Sequence, residues 1–142
     1  MRKVSDIINR KGNNVLSVLP ETSVINALEL MAEKNVGSLV VMVDNRFLGI
    51  LTERDYSRKV ILKGRLSSET TVEEIMTTEF PPVSLTDTVE KCMQLMSAKH
   101  IRYLPVMNMD QLIGIISISD VVTETILNQE DTIAELKNYI QS

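Results

Sequence analysis

Apolar positions along the chain fall into a fixed order. From Val24 they recur at Ala27, Leu28 and Met31, spacings of three and four that predict an amphipathic helix with one buried face. Thr22 or Ser23 is placed to cap its start. An apolar run at residues 38–43 is too short for a helix and rich in β formers. A polar turn, Asp44-Asn45-Arg46, joins it to a second run at residues 47–51, so the pair reads as a hairpin. Thr52 then opens another helix. A short apolar stretch at residues 15–19 precedes all of this. The predicted unit is strand, helix, strand, strand, helix.

The same order returns 65 residues later. Residues 80–85 match the first strand, and Val89, Cys92, Met93 and Met96 match the helix face, with Asp87 or Thr88 as cap. Residues 103–107, the turn Asn108-Met109-Asp110 and residues 112–116 match the hairpin, and Ser117 matches Thr52. No gap is needed: GILTERD at residues 49–55 lies on GIISISD at residues 114–120. Such an internal duplication decides the architecture. The segments ahead of the copies also agree loosely, VSDII at residues 4–8 and VEEIM at residues 72–76, the latter with a capping box of Thr71 and Glu74. Residues 63–71, KGRLSSETT, read as a polar loop. Ile133, Leu136 and Ile140 predict a C-terminal helix that packs on the core or on another subunit.

The expected division is 1–66 for the first copy with its leading segment, 67–127 for the second, and 128–142 for the tail. The expected fold class is α+β, with tandem repeats packed as a pseudo-twofold pair. A unit of about fifty residues buries little surface alone. One continuous core is therefore expected, with two equivalent clefts between the halves.

Composition narrows the function. The chain has 142 residues, a formal charge of −4 and a pI near 5.0, which disfavours non-specific nucleic-acid binding. A single cysteine, Cys92, excludes an internal disulfide and a cysteine-based metal site, and His100 is the one histidine. No secretory signal and no membrane-length apolar run is evident, so a cytoplasmic protein without membrane contact is expected. There is no nucleophile with a histidine partner and no glycine-rich phosphate loop, so an enzyme is not expected.

The chemistry sits where strand meets helix. Leu51 and Ile116 end the strands, and the following helix starts present unpaired N–H groups that suit a phosphate. Thr52 and Ser117 add hydroxyls. Asp55 and Asp120, three residues on, have two oxygens each for the cis-diol of a ribose. The same Ser/Thr-x-x-Asp spacing is also a helix capping box, and both readings stay open on spacing alone.

The two Gly-apolar-apolar-Thr/Ser-x-x-Asp segments, HIRYLPVM at residues 100–107 before QLIGIISISD, and ALELMAEKNVGSLVVMVDNRFLGILTERDYSRKV resemble the CBS domain, named for cystathionine β-synthase. The resemblance covers about residues 3–127 and suggests a stand-alone CBS pair, or Bateman module. It implies a regulatory sensor, a homodimer, and a regulated protein partner. The implied ligand is adenosyl: AMP, ADP, ATP, NAD(H) or S-adenosylmethionine, with no required cofactor.

By resemblance, Thr52 with Asp55 and Ser117 with Asp120 hold ribose. Arg102 is placed for phosphate, with Tyr103 or Ile101 near the base. Gly37 occupies the position of Arg102 in the first copy, so the two sites are expected to differ. Val18 and Val83 are expected near adenine. Arg54 would reach phosphate, its counterpart Ser119 would give a neutral bond, and Arg58 and Lys59, one turn on, are weaker candidates. The competing reading is a ligand-independent adaptor or dimerisation module.

Basic residues cluster at Arg54, Arg58, Lys59, Lys63 and Arg65, where the matching helix of the second copy instead has Asp120 and Glu124, followed by Glu130 and Asp131. They read as solvated faces, or as a dimer that sets one chain's first copy against the other's second. Cys92 and the methionines read as core, and His100, matching Asn35, as a solvated helix end.

Overall fold

The computed structural model describes residues 1–141. Helix α1 (Val4–Lys11) precedes β1 (Ser17–Val18), α2 (Val24–Lys34), β2 (Ser38–Val43), β3 (Arg46–Thr52) and α3 (Glu53–Tyr56), which runs on as a π-helical turn at Ser57–Ile61. Helix α4 (Val72–Ile75) leads into the second copy. That copy holds α5 (Val89–Lys99), β4 (Tyr103–Asn108), β5 (Gln111–Ser117) and α6 (Ile118–Gln141).

The expected elements form for the expected reasons. Ser23 caps α2 by accepting from the Asn26 N–H, and Thr88 caps α5 by accepting from that of Lys91. Asn35 and His100 close these helices in the left-handed conformation, each with φ of 54°. Both hairpins are antiparallel and carry a register shift at matching places, Val41/Met42 and Val106/Met107. The first strand is shorter than the apolar stretches suggest. It pairs in parallel over Ser17–Val18 in one copy and shrinks to a single bridge, Val83 to Val106, in the other. The tail is not a separate helix: it continues α6 without a break over 24 residues. Met93, expected on the buried face, is 40% exposed, while Cys92 is fully buried.

The chain forms two compact units. One is Val15–Phe80; the other joins Met1–Asn14 to the chain from Pro81 onward. The leading segments are thus exchanged. The N–H groups of Val4 and Ser5 donate to the carbonyls of Asp87 and Leu85 at 2.9 and 3.0 Å. Those of Val72 and Glu73 donate to Thr22 and Pro20 at 2.8 and 3.0 Å. Asp87 matches Thr22 and Leu85 matches Pro20, so α1 takes on the second copy the place that α4 takes on the first.

This exchange accounts for the glycine in each repeated motif. Ile50 and Thr77 trade two backbone hydrogen bonds at 2.9 Å beside Gly49. A Cβ on Gly49 would stand 2.7 Å from the Thr77 carbonyl oxygen, and one on Gly114 would stand 3.1 Å from Ile8 Cδ1. Glycine is needed there for close approach.

The buried apolar residues form two clusters, one per unit, where the sequence led us to expect one continuous core. Val24, Ala27, Met31, Leu39, Val41 and Leu51 share one with Val72 and Ile75 of α4. Val89, Cys92, Met96, Leu104, Val106 and Ile116 share the other with Val4 and Ile7 of α1. Each unit gains the apolar layer it lacks from the helix it borrows.

Candidate functional site

Each copy turns from strand to helix at its hydroxyl residue. At the first junction the Thr52 N–H and hydroxyl donate to Asp55 Oδ2 at 3.0 and 3.1 Å, and the Asp55 N–H donates back to Thr52 Oγ1 at 3.1 Å. The capping box therefore forms in full. Asp55 Oδ1 accepts from the Thr77 hydroxyl at 2.8 Å and pairs with Lys59 Nζ at 3.0 Å. Lys59 is tied down in turn by the Ile75 carbonyl at 2.9 Å. Both oxygens of a nearly buried carboxylate are engaged.

The second junction uses the same box with fewer ties. The Ser117 N–H donates to Asp120 Oδ2 at 2.8 Å, and the Asp120 N–H donates to Ser117 Oγ at 3.2 Å. The cation comes from α1: Lys11 Nζ lies 2.8 Å from the same Oδ2 and 2.9 Å from the Ile115 carbonyl oxygen. The Asp120 side chain is 16% exposed, against 8% for Asp55. Burial pushes the Asp120 carboxyl up, but Lys11 and the Ser117 N–H outweigh it and hold its pKa below the usual 3.8.

The strand-leading residues join these junctions through the backbone. The Ile118 N–H donates to the Arg102 carbonyl at 2.8 Å, and the Glu53 N–H donates to that of Gly37 at 3.2 Å. Arg102 is thereby brought beside Ser117 and Asp120, with its side chain exposed. Gly37 takes the matching place beside Thr52 and puts no charge there. Gly37 also lines a cavity of about 530 Å³ with Leu28, Met31, Glu53 and Tyr56, on a side that neither Thr52 nor Asp55 reaches.

Of the other candidates, Arg54 and Ser119 are exposed on the first turns of their helices, Arg58 is exposed in the π-helical turn that follows α3, and Tyr103 is half-buried at the start of β4. Val83 is 2% exposed and meets solvent hardly at all, but its backbone is held between Pro105 and Met107. Val18 is half-buried in β1.

Two partners, Thr77 and Lys11, were absent from the sequence reading of the site, and a third, Lys59, stood there only as a weaker phosphate candidate. Lys59 was legible, because a lysine four residues after an aspartate on a helix shares its face. Thr77 and Lys11 were not, since their reach depends on the exchanged segments. At the position matching Lys59 stands Glu124, which is fully buried. It accepts from Arg10 Nε at 2.6 Å and from Arg2 Nη1 at 3.3 Å, binding α1 to α6. Burial, chiefly, pushes the Cys92 thiol up to about 11, so it stays protonated and inert, as a core residue should. Among the described residues no cluster of histidine, cysteine and carboxylate could hold a metal, and no helix is long and apolar enough to cross a membrane.

Comparison with known proteins agrees with this geometry. The CBS domain family model matches residues 4–61 and again residues 72–137. CBS domain-containing protein CBSX3, mitochondrial, of Arabidopsis thaliana is 36% identical over 147 aligned positions, covering 97% of this chain and 71% of that protein. CBS domain-containing protein YhcV of Bacillus subtilis is 29% identical, covering 89% of each. A solved CBS domain structure superposes with a TM-score of 0.84 at 42% identity, covering 89% of this chain and 99% of that one. A hexameric CBS-CP12 protein from bloom-forming cyanobacteria gives 0.73 at 31% identity, covering 84% of this chain and 66% of that one. The duplicated unit, its paired junction motifs and these matches place the chain in the CBS domain family of regulatory modules, with two copies of the domain.

Proposed function

We propose that this CBS pair senses an adenine nucleotide, of the AMP, ADP, ATP or NAD(H) type, and that the Asp120 junction is its principal site. The observation that carries the reading is the asymmetry of the two carboxylates. Asp55 is saturated by protein donors through both oxygens, whereas the Asp120 bonds fall on Oδ2 alone. The second oxygen of Asp120 is available to a ribose hydroxyl. The start of the 24-residue α6 favours anionic groups, and the exposed Arg102 fork beside it suits a phosphate. Thr52 and Asp55 form the weaker site, with Arg54 and Arg58 as its nearby cations. The module works in this reading as a homodimer that regulates a protein partner, with no cofactor or catalysis of its own.

A thermal-shift series with AMP, ADP, ATP, NAD, NADH and S-adenosylmethionine tests this. A ligand at one hundred times its dissociation constant adds about 2.7 kcal/mol of stability. Asp120→Ala should abolish the shift. Arg102→Ala should weaken phosphorylated ligands and leave adenosine nearly unchanged. A folded, nucleotide-free protein that shifts with none of them would overturn the reading in favour of an adaptor acting through protein contacts alone.

A further inference from the structure

Helix α6 has two faces with different tasks. Val121, Glu124, Asn128 and Asp131 follow spacings of three, four and three and form the face turned to α1. Arg2 binds three of them: its backbone N–H donates to Asn128 Oδ1 at 3.2 Å, Nη1 reaches Glu124 at 3.3 Å, and Nη2 reaches Asp131 at 2.9 Å. Val121 and Glu124 are fully buried.

The opposite side carries a second series: Val122, Ile126, Gln129, Ile133, Leu136 and Ile140. Its spacings alternate four, three, four, three, four, a heptad seam with isoleucine at every a position after the first turn and Val122, Gln129 and Leu136 at d. This seam is exposed, with Val122 at 45%, Ile126 at 51%, Ile133 at 52%, Leu136 at 57% and Ile140 at 80%. A helix that holds its own unit with one side leaves the other for a partner.

We propose that the occupant of this seam is the α6 helix of a second copy of the chain, lying parallel and in register. Three observations select it. Isoleucine at a, at Ile126, Ile133 and Ile140, with leucine at the d position Leu136 is the pattern that favours two parallel strands. In register, Gln129 meets Gln129, and a paired amide inside an apolar seam fixes alignment. The flanking charges do not oppose this pairing: Glu130 and Lys137 at e positions face Thr125 and Thr132 at g positions of the partner helix, so no like charges meet. A lipid surface is a poor alternative, because Glu124, Glu130, Asp131 and Glu135 make the polar part of the helix acidic, where an interfacial helix is basic.

The test is disulfide formation in the full chain. The buried Cys92 does not compete. Under mild oxidation, Gln129→Cys should form a covalent dimer readily, whereas Glu135→Cys, on the outer side of the coil, should not. Adding Ile133→Glu and Leu136→Glu to Gln129→Cys should slow the crosslink at least about tenfold by placing charges in the seam. The thermal unfolding midpoint of these variants reports that the two units remain folded. Equal crosslinking from positions 129 and 135, or a rate unaffected by the two glutamates, would overturn the proposal. So would a monomer in sedimentation velocity that binds phosphatidylcholine vesicles through the same seam. Nucleotide-induced stabilisation is read separately on the same variants, so failure of the coil and failure of the nucleotide site are distinguishable.

Discussion

The two junctions share a backbone plan and differ in where their cations come from. In the first copy Lys59, on the same helix, pairs with Asp55, and Thr77 adds a further bond. In the second, the matching position is Glu124, and the cation is Lys11, delivered by α1 from 109 residues away. A duplicated unit can thus keep its capping geometry while one copy becomes a closed structural knot. The other copy keeps a carboxylate oxygen in reserve. The charge reversal from Lys59 to Glu124 also changes what holds the leading segment: in the second unit Arg2 and Arg10, just ahead of and within α1, pair with the buried Glu124, whereas in the first unit Lys59 holds the Ile75 carbonyl of α4 and Ile50 pairs with Thr77 through the backbone.

The sharpest way to break this comparison is to delete each carboxylate. Asp55→Ala takes the carboxylate from the half-buried Thr77 hydroxyl and from Lys59 and undoes a capping box, so a loss of about 2–3 kcal/mol is expected in denaturant unfolding. Asp120→Ala loses a cap and one half-exposed ion pair and should cost about 1–2 kcal/mol. Equal losses would show that the two junctions are built alike.

The paired glycines come next. Gly49→Ala sets a methyl against a backbone oxygen at 2.7 Å, where neither side yields easily, and should cost about 2–3 kcal/mol. Gly114→Ala meets only the flexible end of Ile8 at 3.1 Å and should cost under about 1 kcal/mol. Unfolding midpoints for the two variants check the ranking.

A smaller effect sharpens the electrostatic side. The folded pKa of Asp120 is depressed, so its contribution is present above the unfolded value near 3.8 and is lost as pH falls through the lower folded value. Lys11→Met removes the chief opposing cation. The carboxyl carbon of Asp120, followed by NMR, should then titrate at higher pH than in the unaltered chain. Lys59→Met should leave that titration where it was. A shift from both variants would mean that Lys11 is not the cation that sets Asp120.

Surface pairing gives the least. Arg65 and Glu74 sit 2.8 Å apart with both side chains well exposed. Arg65→Ala should change stability by no more than about 1 kcal/mol.

Much of this protein was legible along the chain. Helical spacing at Val24 to Met31 and alternating short apolar runs around Asp44-Asn45 are local signals, and they specify helix and hairpin before any contact is known. The ungapped match of Gly49–Asp55 to Gly114–Asp120 carries the duplication, and the capping role of Thr52 and Ser117 follows from three-residue spacing within one turn. What the chain alone did not determine is which copy each leading segment serves. VSDII precedes the first copy and packs on the second, because a borrowed helix completes an apolar cluster wherever the backbone allows it, regardless of order. Lys11 therefore meets Asp120, Thr77 meets Asp55, and Glu124 is buried against Arg2 and Arg10. Each of these contacts joins residues far apart in sequence or across a loop, and each decides a charge at the site. Local propensity sets the elements and the motif; only tertiary packing sets the partners that leave one aspartate closed and the other open.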